Sequence, residues 1–249
     1  PLSSSGRMKF LFELMEDGSK NYSGNKFSES VEIEGIIFNV SPGMVAISCL
    51  PEKIEKAIIF LYEYLLVPEM KLDSFCKLKR KIVAEIYHLY DSASYVAGEI
   101  SRKSVYRGHP YGRSFLGSAS GIKSLSLCGL NAAYGSFITP FGAIVAICGA
   151  VDMDLVVDLW NKYLGSWRGD FISDGLLDHP KPVRRKLIHH EMNREQSVIA
   201  VSGLSLSRTD DRYNDISIFD QYFSGGVLSS MSSRLFLLRE HTGMFYSIS

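Results

Sequence analysis

A strand that feeds a helix occurs twice in this chain, and that doubled unit restricts the fold more than any other feature. Val45-Ala46-Ile47-Ser48-Cys49 runs into a helical pattern that reaches Tyr64, and Val145-Ala146-Ile147-Cys148-Gly149 runs into one that reaches Tyr163. The β-branched run in each copy suits a pleated, half-buried surface. The apolar stripe of each helix has to be covered by another layer. Two such copies predict helices packed on one face of a shared sheet, which is an α+β class. With 249 residues, 46% of them hydrophobic, the chain has material for one large domain or two modest ones.

The helical periodicity places the other elements. Residues 7–17 predict an amphipathic helix with Met8, Leu11, Phe12 and Met15 as its stripe, stopped by Gly18. A second helix is expected from about Asn25 to Ile33, ending at Gly35. Strands Gly35–Val40 and Met44–Leu50 follow, joined by Ser41-Pro42-Gly43. Pro51 opens the next helix, where its missing N–H costs nothing. Leu72 to about Tyr106 predicts two helices with a break near Asp91-Ser92-Ala93-Ser94, and Leu127–Ile138 predicts another. A strand is expected over Ala143–Gly149, and Asp152 is placed to cap the helix through Tyr163. Glu195–Gly203 reads as a further strand, and Thr209-Asp210-Asp211 as the cap of a helix through Phe223.

Composition narrows the function. Lys+Arg and Asp+Glu are equal at 27 each, so the basic excess expected of a nucleic-acid partner is missing. Arg184-Arg185-Lys186 has no interleaved aromatic residues and reads as a solvated face. No apolar run is long enough to span a bilayer. Cys49, Cys76, Cys128 and Cys148 lack CxxC spacing and read as buried free thiols. The chain opens at Pro1 without an initiator Met and stops inside an expected strand, so it reads as a fragment, and the compartment stays open between periplasm, cytoplasm and mitochondrial matrix.

The stretch from Gly225 to Tyr246 is the longest ordered motif. Gly225-Gly226 begins a flexible turn, Ser232 or Ser233 is placed to cap a helix, and Leu235, Leu238 and Met231 share a face. Gly243 suits the left-handed position after the helix, and a short strand from Met244 to Ser249 follows. Arg239 and Tyr246 can both reach one peptide carbonyl, or Arg239 is simply a solvated side chain on a capped surface helix. This Gly-Gly turn, Ser-Arg-Leu-Phe…Leu-Arg-Glu helix and Gly-x-x-Tyr strand resembles the pitrilysin-like (insulinase, inverzincin) zinc peptidases of the small bacterial or processing-peptidase type. The resemblance implies two related domains, each an antiparallel-rich sheet with helices on one face, in the LuxS/processing-peptidase manner. It also implies that Arg239 and Tyr246, with the Gly225-Gly226 turn, bind substrate backbone.

The same resemblance places a zinc-binding HxxEH just before Gly18. There Lys9 stands at the first His position, Phe12 at the general base and Glu13 at the second His. A cation repels Zn²⁺ and a phenyl ring takes no proton, so this corner is expected to have lost both metal and catalysis. Glu85 matches the third ligand and is expected to pair with a base such as Lys9. Glu85 and His88 also form an i, i+3 pair of the kind seen in carboxylate metal bundles, but such sites use two copies. His109, in the Gly108–Arg113 turn, reads as structural beside Pro110 and Tyr111. His189-His190-Glu191 reads as exposed polar surface, since adjacent strand residues point apart.

The expected organisation is a peptidase-like domain over 1–166 with its first strands missing, a linker over 167–190 rich in Pro and charge, and the truncated start of a second domain over 191–249. The expected function is a non-catalytic, substrate-holding subunit or half of a zinc metalloendopeptidase, active only with an HxxEH-containing partner or in a homo-oligomer. No cofactor is expected in this chain, and zinc is expected in the partner. Two alternatives stand beside it. One is a structural assembly protein on the same fold, as in core subunits of respiratory complexes. The other is an active zinc peptidase whose ligands lie outside this chain.

Overall fold

The computed structural model describes residues 6–169, 179–182, 184–225 and 231–245. They fall into two compact units, 1–202 and 203–249.

In the first unit, α1 (Arg7–Met15) is the centre of the core. Phe10, Leu11, Phe12, Leu14 and Met15 are all buried, more than the single stripe expected, because the helix is covered by several layers. It packs on α4 (Leu72–Tyr90), α7 (Leu127–Phe137) and strand β1 (Ile37–Ser41). Gly18, at φ 128°, turns the chain where a Cβ would strike the Tyr22 carbonyl, so a side chain is excluded there. Helix α2 (Lys26–Ile33) leads into β1, which pairs antiparallel with β2 (Met44–Ser48) in the register Ile37↔Ser48 to Ser41↔Met44. Phe38, Val40, Val45 and Ile47 face the core while their neighbours face out, the period-2 alternation of a half-covered hairpin.

Pro51 starts a 3-10 turn that continues into α3 (Ile54–Leu66). Tyr64 is the largest fully buried side chain among the described residues, and its hydroxyl donates to the Phe12 carbonyl at 3.0 Å. Tyr22, Phe27, Phe38, Phe60 and Tyr64 form a connected set of edge-on ring contacts, with centroids 5.5 to 6.5 Å apart. Buried Glu63 is satisfied: Ser19 Oγ donates to it at 2.5 Å and Asn21 Nδ2 at 2.7 Å. The break expected between the long helices falls at Asp91-Ser92, where Ser92 caps α5 (Ala93–Val105). Helix α6 (Ala119–Ser124) packs on α4, and α8 (Met153–Leu164) packs on α3 through Ile58, Leu159 and Leu164. Asp152 caps α8 as expected, accepting from the N–H groups of Asp154 and Leu155.

The second unit holds α9 (Tyr213–Phe223) and α10 (Arg234–Thr242), which touch each other. Ser233 caps α10 by accepting from the Phe236 N–H, and Gly243 ends it at φ 59°.

The class is α+β, mostly helical. Several expectations fail. Ala143–Gly149 and Glu195–Gly203 are not strands; neither has a ladder partner among the described residues, and Ile144 and Val201 are each 93% exposed. A β-branched run has the propensity for a strand, but only a second chain segment can satisfy its N–H and C=O groups. The second strand–helix copy is therefore represented by α8 alone. Cys76, Cys128 and Cys148 are exposed rather than buried, and Cys49 is half-buried. Asp210, expected to cap α9, instead accepts from the Arg212 N–H, and the helix starts at Tyr213 without a side-chain cap. Met231 and Leu238 are exposed, so α10 buries no apolar face among the described residues.

Candidate functional site

Lys9, Phe12 and Glu13 lie within one and a half turns of α1, and Glu85 comes from α4, which packs against it. The Lys9 ammonium contacts Glu13 and stands 3.7 Å from Glu85 Oε2. The expected Lys9–Glu85 pair is therefore present, with Glu13 as a third member. An isolated helix would not favour this arrangement: Lys9 sits in the first turn, where the helix dipole disfavours a cation, and the Lys-before-Glu order is the weaker one. Glu85, delivered from α4, adds a second carboxylate to this weak local pair. The other Glu13 oxygen, Oε2, is buried and accepts no hydrogen bond. Phe12 is buried, its ring 6.4 Å from that of Tyr64, and carries no group that exchanges protons.

This donor set does not fit a zinc ion. A tetrahedral or catalytic zinc site needs neutral imidazole, thiolate or carboxylate ligands free to coordinate. Here an ammonium already occupies the position between the two carboxylates, so the positive charge of the corner is supplied by the chain itself. Glu16, one turn further, has its carboxyl pushed up by partial desolvation and by the Glu13 charge, and pulled back by Lys81 and Lys9. No cluster of three or more His, Cys, Asp or Glu side chains among the described residues is arranged to hold a metal.

A cleft of about 520 Å³ opens beside Lys9, between α1, α5 and the loop 106–115. Lys9, Arg102, Tyr106, Tyr111, Arg113 and Phe115 line it. Arg102 holds the loop in place: it donates to the carbonyl of Tyr111 at 3.2 Å and to that of Arg113, and pairs with Glu99. His109 Nδ1 accepts from the Tyr111 N–H at 3.2 Å, a structural use consistent with its reading from sequence. Sequence reasoning marked this loop for its turn residues and passed over Arg102, Arg113 and Phe115. The available signal was the run Tyr111-Gly-Arg113-Ser-Phe115, in which a cation stands between two aromatic residues.

In the second unit Arg239 lies on α10, with its guanidinium 4.5 Å from the centre of the Phe236 ring and paired with Glu240 at 2.7 Å. Gly225 follows α9 at φ 94°, a left-handed conformation that favours glycine. Gly226 and Tyr246 lie outside the described residues.

Comparison with known proteins adds to this geometry. The crystal structure of a peptidase M16 inactive domain from Pseudomonas fluorescens superposes with a TM-score of 0.79 at 18% identity, covering 96% of this chain and 58% of that one. A conserved protein from Enterococcus faecalis gives 0.72 at 17% identity, covering 96% and 61%. A protease from Helicobacter pylori gives 0.62 at 20% identity, covering 72% and 44%. At these identities the likeness is one of fold, and the chain spans between 44% and 61% of the length of these three structures. The family model described as the peptidase M16 inactive domain matches residues 124–249, half of the chain. The chain thus belongs to the M16 peptidase family, in its inactive-domain branch.

Proposed function

We propose that this chain is the substrate-holding, non-catalytic half of a zinc metalloendopeptidase that acts on peptides or proteins together with an HxxEH-containing partner subunit or domain. The observation that carries the reading is the corner on α1. With Lys9 paired to Glu13 and Glu85, and Phe12 buried where a general base is needed, this corner offers neither a free set of metal ligands nor a base. Its membership of an inactive-domain family supports the same division of labour. In this reading Arg239 and Tyr246, beyond the Gly225-Gly226 turn, hydrogen-bond a substrate carbonyl, and the metal belongs to the partner.

The test mixes the purified chain with an HxxEH partner and follows cleavage of a fluorogenic peptide. Activity is expected from the mixture and from neither component alone. Arg239→Ala combined with Tyr246→Phe is expected to lower the mixed activity at least tenfold, the scale for losing charged hydrogen bonds to substrate. Unchanged activity in that double variant refutes the mechanism. A stable complex with a large assembly and no peptidase activity supports the assembly-protein alternative instead.

A further inference from the structure

The cleft beside Lys9 is not used by the proposed role of Arg239, and its chemistry is unusually one-sided. Among the described residues lining it none is acidic, while three are cationic. Two of those cations are already neutralised. Lys9 pairs with Glu13 and Glu85, and Arg102 shares Glu99 with Lys103, whose ammonium is 3.2 Å from the second Glu99 oxygen. Arg113 is the surplus charge. Its carbonyl is held by Arg102 and its N–H by the Pro110 carbonyl, which fixes the backbone beneath it, yet none of the ion pairs among the described residues involves its guanidinium. Around it Tyr111 and Phe115 are 62% and 63% exposed, a large aromatic surface left uncovered next to a cation. Tyr106 makes an edge-on contact with Tyr111 at 5.8 Å. The volume falls in the range of sites that take small ligands or peptide ends.

We infer that this cleft binds a peptide carboxylate that is flanked by an apolar or aromatic residue, with Arg113 as its anion anchor and Phe115 and Tyr111 as its apolar wall. A guanidinium presents a planar fork that matches a carboxylate with two parallel hydrogen bonds. The apolar neighbour of that carboxylate covers the exposed rings. A chain terminus and an acidic side chain carry the same group, and the measurement separates them. The inference stands independently of Arg239, because it concerns the chain alone without a catalytic partner.

The experiment is calorimetric titration of the purified chain with three peptides: acetyl-Ala-Ala-Gly-Phe with a free carboxylate, the same peptide as its C-terminal amide, and acetyl-Ala-Glu-Phe-Ala amide. The free acid is expected to bind at least about tenfold more tightly than its amide, the scale of a charge-assisted hydrogen bond. Comparable binding of the internal-Glu peptide identifies the acidic side chain as an equal source, and its absence identifies the chain end; either supports a carboxylate site. Arg113→Gln is expected to erase the acid-over-amide preference while leaving the thermal midpoint unchanged, since its side chain holds nothing in place. Phe115→Ala is expected to weaken acid and amide alike, and it provides a second variant at an exposed position. Equal binding of acid and amide, binding unaffected by Arg113→Gln, or no heat from either carboxylate peptide overturns the inference.

Discussion

Replacing Lys9 by Met tests the electrostatic reading of the α1 corner most directly. Met is close to Lys in length and in helix propensity, so the change removes the charge with little effect on the helix itself. At the 3.7 Å separation of Lys9 and Glu85 a pair of unit charges interacts by about 4 kcal/mol at an effective dielectric of 20 and about 1 kcal/mol in water. The Lys9 side chain is 15% exposed, but Glu13 and Glu85 keep 23% and 39%, so solvent screening brings the value well below the upper figure. Losing a first-turn cation returns roughly 0.3 to 1 kcal/mol through the helix dipole. The expected net loss is about 1 to 2 kcal/mol, dominated by Glu13, which loses the ammonium at its Oε1 while its Oε2 stays buried without a hydrogen bond. Urea unfolding at low and high salt measures it, with an unchanged m-value and a smaller difference at high salt. Adding Glu13→Gln to Lys9→Met is expected to recover most of the loss, because no unpaired charge then remains. If Lys9→Met is as stable as the parent chain, or if the double variant is no better than the single one, the ammonium does not neutralise this corner.

Phe10→Ala is expected to cost about 3 to 5 kcal/mol, since the ring is fully buried at the centre of α1 and packs 5.4 Å from Phe75; denaturant titration checks it. Iodoacetamide at mildly alkaline pH is expected to modify Cys76, Cys128 and Cys148 before Cys49, as read by mass spectrometry. Burial, helped by the charge of Glu52, pushes the Cys49 thiol up and reduces its reactive thiolate, whereas the other three are exposed. Adding Zn²⁺ or removing it with EDTA is expected to leave the melting temperature of the intact chain unchanged, because a ligand that binds only the folded state would raise it. One zinc bound per molecule at the α1 corner would refute the reading of that corner.

The helices were legible because their signals are local. Asp152, Ser92 and Ser233 cap helices with their own side chains, and Gly243 takes the left-handed turn that an L-residue resists. The hairpin 37–48 was legible for the same reason: two apolar runs joined by a Pro42-Gly43 turn mark an antiparallel pair, although Ile37 and Met44 leave its faces unmarked in the sequence. Lys9, Phe12 and Glu13 were placed on one helix from the sequence, and α1 carries all three.

Tertiary structure decided the rest. Ala143–Gly149 and Glu195–Gly203 have strand composition, yet a strand exists only where a distant segment completes its hydrogen bonds, and composition carries no information about that segment. Whether a thiol is buried depends on what packs over it, so the reading of four buried cysteines failed at Cys76, Cys128 and Cys148. The cleft around Arg113 draws its lining from α1, α5 and a loop more than ninety residues beyond α1 in the sequence. Periodicity reports which face of one helix is apolar. Only packing of separate elements decides which charges come within reach of each other, as α4 brings Glu85 to Lys9, and which line a cleft, as Arg113 does.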